Sequence, residues 1–312
     1  MVALHSIALA GGEGWSTDFA AAQKQAAASS KDLLIDFTGS DWCGWCIKLN
    51  DEVFKHEAFK AGVKDSFVLV ELDYPKDKSK LAEATQKQNA ELAIKYPVTG
   101  YPTILLCDAA GRPYAATGYR EGGPVQYIAH LNTLRGNKAK RDEALAAANK
   151  AQGVAKAKAL IGALAVMELS DEMVAQFYGE VAGQITAADP KDETGFGKKA
   201  AAKKRLLDFQ EALQELAGKR DLAGGLALID KTLQEGGFEV EDTLKLMMTR
   251  AVILAQQGKF DEALKAVDAA KAFAPGSPMT AGIDGFRKNL EEGKKKAAAG
   301  SGNGDAKPEG GK

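Results

Sequence analysis

The sequence predicts an α/β domain in its first half and an all-α domain in its second, within a chain of 312 residues that is long enough for two domains. Up to about residue 136, apolar runs of strand length alternate with segments of helical periodicity. One strand-to-helix turn carries a Cys-x-x-Cys motif, from Cys43 to Cys46. Farther along, the composition turns rich in Ala, Lys and Leu, and strand patterns stop. We therefore predict domains at 14–136 and 137–293.

Two periodicities define the elements of the first half. Strands are expected where apolar residues form short runs, and helices where they recur every three or four positions. In chain order these elements cover 15–30 (helix), 32–37 (strand), 43–63 (helix), 67–73 (strand), 79–95 (helix), 104–107 (strand), 113–118 (strand) and 123–134 (helix). Ser16 or Thr17 can cap the first helix through its side-chain oxygen.

The Cys-x-x-Cys motif falls at the N-terminus of a predicted helix, which presents unpaired N–H groups and the positive end of the helix dipole. Cysteines placed in this way have pKa values roughly 1 to 5 units below the free value of about 8.5. The two-residue spacer brings Cys46 close enough to form a disulfide with Cys43. We expect Cys43 to be exposed and to attack a disulfide, and Cys46 to resolve the mixed disulfide.

Other uses of the cysteines have less support from the residues. Half of a zinc site would need a second Cys pair, and the three histidines, His5, His56 and His130, are scattered. A purely structural disulfide across so short a loop would stabilise the fold little. Cysteine-peptidase chemistry lacks a histidine that any motif places as the base. Cys107 lies in an apolar strand and is interpreted as a small buried hydrophobe.

Composition and charge argue against several classes of partner. A hydrophobic content of 45% and a charged content of 27% are ordinary for a globular protein. The formal net charge of −1 gives no electrostatic reason to expect nucleic acid. No apolar run approaches the length of about 18 residues that a membrane-spanning helix needs. No motif requires a bound cofactor.

Residues 1–13 are interpreted as a leader. The run IALA at 7–10, followed by two glycines, resembles the end of a signal peptide with a small-x-small cleavage site. A basic n-region is missing and the apolar stretch is short, so an ordinary leader is the other interpretation. We expect a periplasmic or secreted protein, with a cytoplasmic location as the alternative, because three cysteines fit either compartment.

The order of the predicted elements and two motifs resemble the thioredoxin family over residues 14–136. The motif WCGWC at 42–46 is similar to the Trp-Cys-x-x-Cys signature of that family, and GYPT at 100–103 is similar to its cis-proline loop. The longer version GSDWCGWC, at 39–46, looks like the thioredoxin-like proteins of bacterial envelopes. The resemblance implies a mixed sheet flanked by helices, and thiol–disulfide exchange as the activity.

The resemblance also implies roles around the two sulfurs. Cys43 would be the nucleophile and Cys46 the resolving thiol. Pro102, after a cis peptide bond, would lie against the cysteines, and the backbone of Tyr101 could pair with an extended substrate. Trp42 would help to frame the sulfurs.

Two further positions depart from ordinary thioredoxin. Asp36 resembles the buried acid that assists deprotonation of the resolving thiol. The segment 38–40 makes its spacing to the cysteines one residue longer, so its side chain would change face unless a bulge absorbs that residue. Inside the motif, Gly44 and Trp45 stand where thioredoxin has Gly-Pro. Trp45 adds apolar surface beside the sulfurs while a rigid element is lost, so the direction of electron flow stays open.

The second half is interpreted as antiparallel helical hairpins, because apolar stripes at helical spacing recur between short polar or Gly-containing breaks. The run GKFDEAL at 258–264 resembles the second helix of a tetratricopeptide repeat. The pattern Leu-x-x-Ile-Asp at 226–230 recurs 38 residues later as Leu-x-x-Val-Asp at 264–268. Such a module either binds a peptide or protein segment or only covers the flank of the first domain. The tail, 294–312, is expected to be disordered.

The predicted function is that of a thiol–disulfide oxidoreductase that acts on protein disulfides through Cys43 and Cys46. An external redox partner would restore the dithiol. The alternative is a redox-inactive, thioredoxin-like scaffold whose helical half holds a protein. The presence of both cysteines argues against the scaffold, which has no need of them.

Overall fold

The computed structural model describes residues 14–300. These residues contain a five-stranded sheet with the strand order β1-β3-β2-β4-β5. Its strands are β1 (Trp15–Ser16), β2 (Asp32–Thr38), β3 (Phe67–Asp73), β4 (Thr103–Cys107) and β5 (Pro113–Thr117). The first three strands in that order pair in parallel, whereas β4 and β5 are antiparallel to their neighbours. The mixed sheet confirms the predicted fold class.

Helices flank this sheet and extend beyond it. They are α1 (Phe19–Ser29), α2 (Gly44–Leu49), α3 (Glu57–Val63), α4 (Glu83–Lys95), α5 (Gly123–Lys150), α6 (Gly153–Ala165) and α7 (Asp171–Ala188). A π-helical segment, Asn50–Phe54, continues α2, and a 3₁₀ turn, Lys78–Lys80, precedes α4. The helix predicted from the Cys-x-x-Cys motif to residue 63 is therefore divided into three parts.

The predicted start of the first helix is wrong. Trp15 and Ser16 form β1 instead, which pairs with Leu69 and Val70 of β3. The helix begins at Phe19 because the Asp18 carboxylate, rather than a hydroxyl, accepts the Ala21 N–H at 2.9 Å and caps it.

The two faces of the central strands differ in chemistry. Successive side chains of a strand point to opposite faces, and aligned residues of neighbouring strands point to the same face. One face, which we call the apolar face, is fully hydrophobic on β2 and β3: Leu33, Ile35, Phe37, Val68, Val70 and Leu72. The other, which we call the carboxyl face, carries four acidic residues among its eight: Asp32, Leu34, Asp36, Thr38, Phe67, Leu69, Glu71 and Asp73.

Different layers cover these two faces. On the apolar face, residues of α1, α4 and α7 complete one core cluster, and they include Phe19, Leu92 and Met173. An aromatic group from β1, the π-helical segment, α3 and α5 packs together in the same unit: Trp15, Phe54, Phe59 and Tyr127. The ring centroids of Trp15 and Phe54 are 4.9 Å apart, and Trp15 is aligned with Leu69 of the carboxyl face.

A buried polar network ties α5 and α7 to the sheet. The Tyr114 hydroxyl donates to the Asp32 carboxylate at 2.8 Å, and Lys138 of α5 pairs with the same carboxylate. Arg141 of α5 donates to the Tyr178 hydroxyl of α7 at 2.9 Å. That hydroxyl in turn donates to the Pro113 carbonyl of β5 at 2.7 Å.

The chain divides into two compact units between Thr194 and Gly195. The boundary predicted at 136/137 falls inside α5, which runs without interruption to Lys150. The polar network of α5 and α7 explains why these helices belong to the first unit, since their partners lie in the sheet.

The described part of the second unit is built from helices that each pack on the next along the chain. They are α8 (Phe196–Gly218), α9 (Leu222–Glu235), α10 (Val240–Gln256), α11 (Phe260–Phe273) and α12 (Thr280–Gly300). The predicted all-α second half is thereby confirmed. Between residues 14 and 300, no helix is long and apolar enough to cross a membrane.

The predicted start of a disordered tail at residue 294 is wrong, because α12 continues to Gly300. Lys294 forms an ion pair with Asp261 of α11, and the following Lys and Ala residues have high helix propensity. The remainder of the tail, 301–312, and the leader, 1–13, lie outside the described residues.

Candidate active site

Cys43 and Cys46 form a disulfide with an S–S distance of 2.06 Å at the beginning of α2. Cys43 is the N-cap of this helix, and its Sγ accepts the Cys46 N–H at 3.2 Å. Strand β2 ends five residues before Cys43, at Thr38, so the motif occupies the predicted strand-to-helix turn. The sulfur therefore lies where unpaired helix N–H groups stabilise a negative charge.

Both cysteines are buried in the disulfide form, with 6% of Cys43 and 4% of Cys46 exposed. The expectation of an exposed first cysteine is wrong for this form. The neighbouring indoles are exposed instead, Trp42 by 40% and Trp45 by 58%. Exposed aromatic surface thus surrounds a recessed pair of sulfurs. Gly44, between them, is also exposed and has open space around its Cα.

One aromatic group adjoins the disulfide through Trp42. The Trp42 indole N–H donates to the Tyr74 carbonyl at 2.8 Å. The ring centroids of Trp42 and Tyr101 are 5.5 Å apart, and those of Tyr101 and Tyr74 are 5.6 Å apart. The peptide bond from Tyr101 to Pro102 is cis. The structure therefore places the motif and the proline loop side by side.

A second aromatic group, around Trp45, contains residues that the sequence did not single out. Tyr119 lies 5.1 Å from Trp45 between ring centroids, and its hydroxyl donates to Glu52 at 2.6 Å. The Lys48 ammonium lies 5.2 Å and 4.9 Å from the centroids of the Trp45 and Tyr119 rings, within the range of cation–π attraction. Lys48 and Glu52 are one helical turn apart in the sequence, but Tyr119 follows β5 and is brought to them only by the fold.

Asp36 remains on the side of the sheet that faces the disulfide. It lines a cavity of about 340 Å³ together with Cys46. The alignment of β2 with β3 runs without a shift from Asp32 to Thr38, so the extra residue is not absorbed by a bulge in this strand. It is absorbed in the turn, where the Gly39 carbonyl accepts the Cys43 N–H at 2.9 Å.

The Asp36 carboxyl group lies in an unfavourable environment for a charge. Burial, followed by the nearby Glu71 and Asp73 carboxylates, raises its pKa well above the usual value. Within residues 14–300, its Oδ1 atom is buried without a hydrogen-bond partner. The surroundings of this carboxyl group therefore favour its protonated form more than water does.

Sequence reasoning also missed two carboxylates of β3. Asp73 accepts hydrogen bonds from the Ser40 N–H at 2.9 Å and from its hydroxyl at 2.6 Å, which fixes the turn before the motif. Burial and the neighbouring Asp73 raise the pKa of Glu71 to about 7. Alternating carboxylates at positions 71 and 73 of an otherwise apolar strand were the available signal.

The third cysteine takes no part in this chemistry. Cys107, in β4, is completely buried and unpaired. Burial, followed by nearby Asp108 and Asp32, raises the pKa of its thiol. Because the thiolate is the reactive form, Cys107 is inert, as the sequence predicted.

A redox-active cysteine pair at the start of a helix, next to the central parallel strands of a mixed sheet, defines a thiol–disulfide oxidoreductase. Residues 19–134 match the model of the thioredoxin-like domain. The chain is 35% identical over 115 residues to the disulfide bond reductase DsbH of Chlamydia pneumoniae, an alignment that covers 37% of this chain and 69% of that protein. The chain belongs to the thioredoxin-like family.

Other similar proteins have related names. The thioredoxin-related protein DsbJ of Chlamydia pneumoniae is 33% identical over 92 residues, which cover 30% of this chain and 26% of that protein. A solved structure of a DsbH oxidoreductase shares 32% identity with a TM-score of 0.37, covering 38% of this chain and 82% of its own. The C-terminal domain of Neisseria meningitidis DsbD, in the oxidised form, shares 15% identity with a TM-score of 0.26, covering 36% and 90%.

Proposed function

We propose that this protein reduces disulfide bonds in protein substrates outside the cytoplasm, with Cys43 as the nucleophile and Cys46 as the resolving thiol. The observation that carries the proposal is the Cys43–Cys46 disulfide at the N-terminus of α2. The reductive direction is supported by the 35% identity to a protein named disulfide bond reductase. The location is supported by the GSDWCGWC motif and by the signal-like leader.

The reaction follows from the positions of the two sulfurs. In the reduced protein, the Cys43 thiolate attacks one sulfur of the substrate disulfide, and the other sulfur leaves as a thiolate. Cys46 then attacks the Cys43 sulfur of the mixed disulfide, and the substrate leaves with its second sulfur reduced. Two electrons have then passed from the Cys43–Cys46 pair to the substrate, and the pair is left as a disulfide. An external dithiol partner must reduce this bond to complete the cycle.

Aromatic surface on both sides of the sulfurs suits a polypeptide substrate. Trp42 with Tyr101, and Trp45 with Tyr119, form two exposed or half-exposed pairs that can contact side chains flanking a substrate cysteine. The backbone at Tyr101, before the cis bond, is the segment that can pair with extended chain.

The proposal extends to the second unit as a tetratricopeptide-like module that holds a substrate or partner protein. Repeat character is supported by equivalent ion pairs at the recurring pattern. Asp230 of α9 pairs with Arg250 at 2.6 Å, and Asp268 of α11 pairs with Arg287 at 2.7 Å. Deletion of residues 195–312 should lower turnover of protein disulfides and leave a small disulfide unaffected. If deletion left the turnover of both substrates unchanged, the second unit would not hold a substrate or partner protein.

The reduction potential of the Cys43–Cys46 pair is the first test, measured by equilibration with a glutathione series. We expect a value near about −270 mV, as in reductases of this chemistry. A value of about −180 to −120 mV would instead assign an isomerase or an oxidant. Absence of a reversible two-electron couple would overturn the oxidoreductase function.

A Cys43→Ser variant separates catalysis from the scaffold alternative. We expect complete loss of disulfide reduction, because the attacking thiolate is gone. Cys107→Ser is the matched control, since this thiol is buried and inert, and it should retain full turnover. If the Cys43→Ser variant kept its function in cells, the protein would be a scaffold. Cell fractionation tests the location, and recovery with cytoplasmic markers would contradict it.

A further inference from the structure

Two acidic side chains of the carboxyl face lie next to each other beneath the disulfide. Asp36 of β2 is aligned with Glu71 of β3 in the parallel register, so both side chains point to the same face. Neighbouring strands are about 4.8 Å apart, so the two side chains leave the sheet side by side. Both groups line the cavity that Cys46 also lines.

The charged and titratable groups around this pair come from every element packed against it. They are Asp73 of β3, Cys46 of α2, Lys55 of the π-helical segment, Lys60 of α3 and Tyr127 of α5. The two lysines are engaged elsewhere: Lys55 pairs with Asp51 and Lys60 with Glu57, each at 2.9 Å. The Tyr127 hydroxyl donates to the Gly118 carbonyl at 3.0 Å.

The pair therefore lacks the cation that would stabilise two negative charges. Two carboxyl groups that leave neighbouring strands side by side disfavour ionisation of both, so the pair tends to keep one proton. The raised pKa of Asp36 and the pKa of Glu71 near about 7 agree with this physical argument. Near neutral pH the pair can therefore change between one and two bound protons.

The cavity also connects the pair to water. Asp36 is 6% exposed, whereas Glu71 is partly exposed. Asn50 and Lys55, which are exposed, line the same cavity. Glu71 is thus the member of the pair that can exchange protons with solvent, and Asp36 is the member that is shielded from it.

The thioredoxin resemblance already implies that Asp36 receives the proton of the Cys46 thiol. We propose that Glu71 forms one proton-sharing carboxyl pair with Asp36 and returns that proton to water. This inference rests on the proposed function, because it concerns the proton that the resolving thiol releases. It makes Glu71 a positioning residue that acts on Cys46 through Asp36.

The resolving step balances in protons and electrons. The pair begins with one shared proton and takes a second from the Cys46 thiol. The Cys46 thiolate attacks the Cys43 sulfur, the Cys43–Cys46 bond forms, and the bond from Cys43 to the substrate breaks. The substrate leaves as a thiolate, and the proton leaves the pair through Glu71.

The test is a pH profile of this step in the Glu71→Gln variant, read with 5,5′-dithiobis(2-nitrobenzoate) as the disulfide. Reduced protein releases one thionitrobenzoate when Cys43 is modified and a second when Cys46 resolves the mixed disulfide. For the wild type we expect the second release to increase with pH around the pKa of about 7. In the variant, the rate at high pH should fall about 10-fold. The inflection should move to lower pH by about one unit, since Asp36 loses its like-charged neighbour.

The matched control is Glu91→Gln, which removes an exposed carboxylate from α4. Its profile should overlay that of the wild type. A Glu71→Gln profile that also overlays the wild type would overturn the inference. If wild-type protein released only one thionitrobenzoate, the proposed function of Cys46 would fail instead, so the two failures are distinguishable.

Carbon-13 NMR of the wild-type carboxyl groups gives a second measurement that needs no variant. We expect the Glu71 signal to titrate near about 7 and to shift when the disulfide is reduced. Titration of Glu71 near its ordinary value of 4.5, independent of the redox state, would overturn the inference.

Discussion

The two faces of the central sheet have different roles, since one forms the hydrophobic core and the other lies beside the disulfide. The apolar face is a continuous hydrophobic core beneath α1, α4 and α7, and its β2 residues Leu33, Ile35 and Phe37 are completely buried. The carboxyl face uses the same two strands, but it buries Asp36 and Asp73 and half-buries Glu71 near the disulfide. One face therefore gains stability from burial, and the other gives up stability to hold carboxyl groups next to a reactive thiol.

Stability and redox chemistry are therefore separable within a single pair of strands. Hydrophobic substitutions on the apolar face should change the free energy of unfolding and leave the redox chemistry unchanged. Charge-neutralising substitutions on the carboxyl face should change the redox chemistry without lowering the free energy of unfolding. They can even stabilise the fold, because each buried carboxylate carries a desolvation cost.

The largest effect is expected from Phe37→Ala on the apolar face. Phe37 is completely buried, and its ring lies 5.7 Å from that of Tyr96 between centroids. The cavity left by the ring should lower the free energy of unfolding by about 3–5 kcal/mol, as measured by urea denaturation. The reduction potential of the folded variant should match the wild type. A changed potential would show that the two faces are coupled.

The next effect is a pH-dependent gain in stability for Glu71→Gln on the carboxyl face. Burial raises the pKa of Glu71 from 4.5 to about 7, so the folded wild type binds this proton more tightly than the unfolded chain does. Its stability is full below pH of about 4.5 and falls as pH rises through about 7.

The stability of the glutamine variant should not fall with rising pH in this way, because glutamine does not ionise. Its free energy of unfolding should match the wild type at pH of about 4 and exceed it by about 3 kcal/mol at pH of about 8. Denaturation at a series of pH values measures the difference. In the control Glu91→Gln, the difference in free energy of unfolding from the wild type should not change with pH. A constant difference at all pH values would contradict the assignment of the shift to Glu71.

A smaller loss is expected from Tyr178→Phe, in the helix that covers the apolar face. Its hydroxyl bridges Arg141 and the Pro113 carbonyl, and all of Tyr178 is buried. Removal leaves a buried guanidinium and a carbonyl with fewer partners, so stability should fall by about 1–3 kcal/mol. Thermal denaturation measures it, and an unchanged midpoint would mean that the network does not hold α7 to the sheet.

The smallest effect on stability is expected from Tyr119→Phe, beside Trp45 at the surface. Loss of the hydrogen bond to Glu52 should change stability by less than about 0.5 kcal/mol. The KM for a protein disulfide should rise about fivefold, because the bond that orients this aromatic group is removed, while the reduction potential stays constant. An unchanged KM would exclude Tyr119 from substrate contact.

Local patterns were sufficient for much of the fold. The strand Phe67–Asp73 is found where apolar residues predicted it, and the second half is helical as its stripes indicated. Prediction from local patterns failed where contacts with residues far along the chain determine the local structure. The local pattern predicts a helix at Trp15 because it cannot show the pairing of Trp15 with β3. It predicts a disordered tail from residue 294 because the partner of Lys294, Asp261, lies 33 residues earlier in the chain.

Local sequence was sufficient to predict the chemistry of the site, because a Cys-x-x-Cys motif at a strand-to-helix turn is a local feature whose geometry follows from one helical turn. It also determined that position 36 of the strand 32–37 carries an acid. The position of this acid beside Glu71 and Cys46, and the contact of Tyr119 with Trp45, follow from the tertiary fold. Those neighbours lie far apart along the chain, and the register between strands that brings them together is set by burial of whole faces rather than by local sequence.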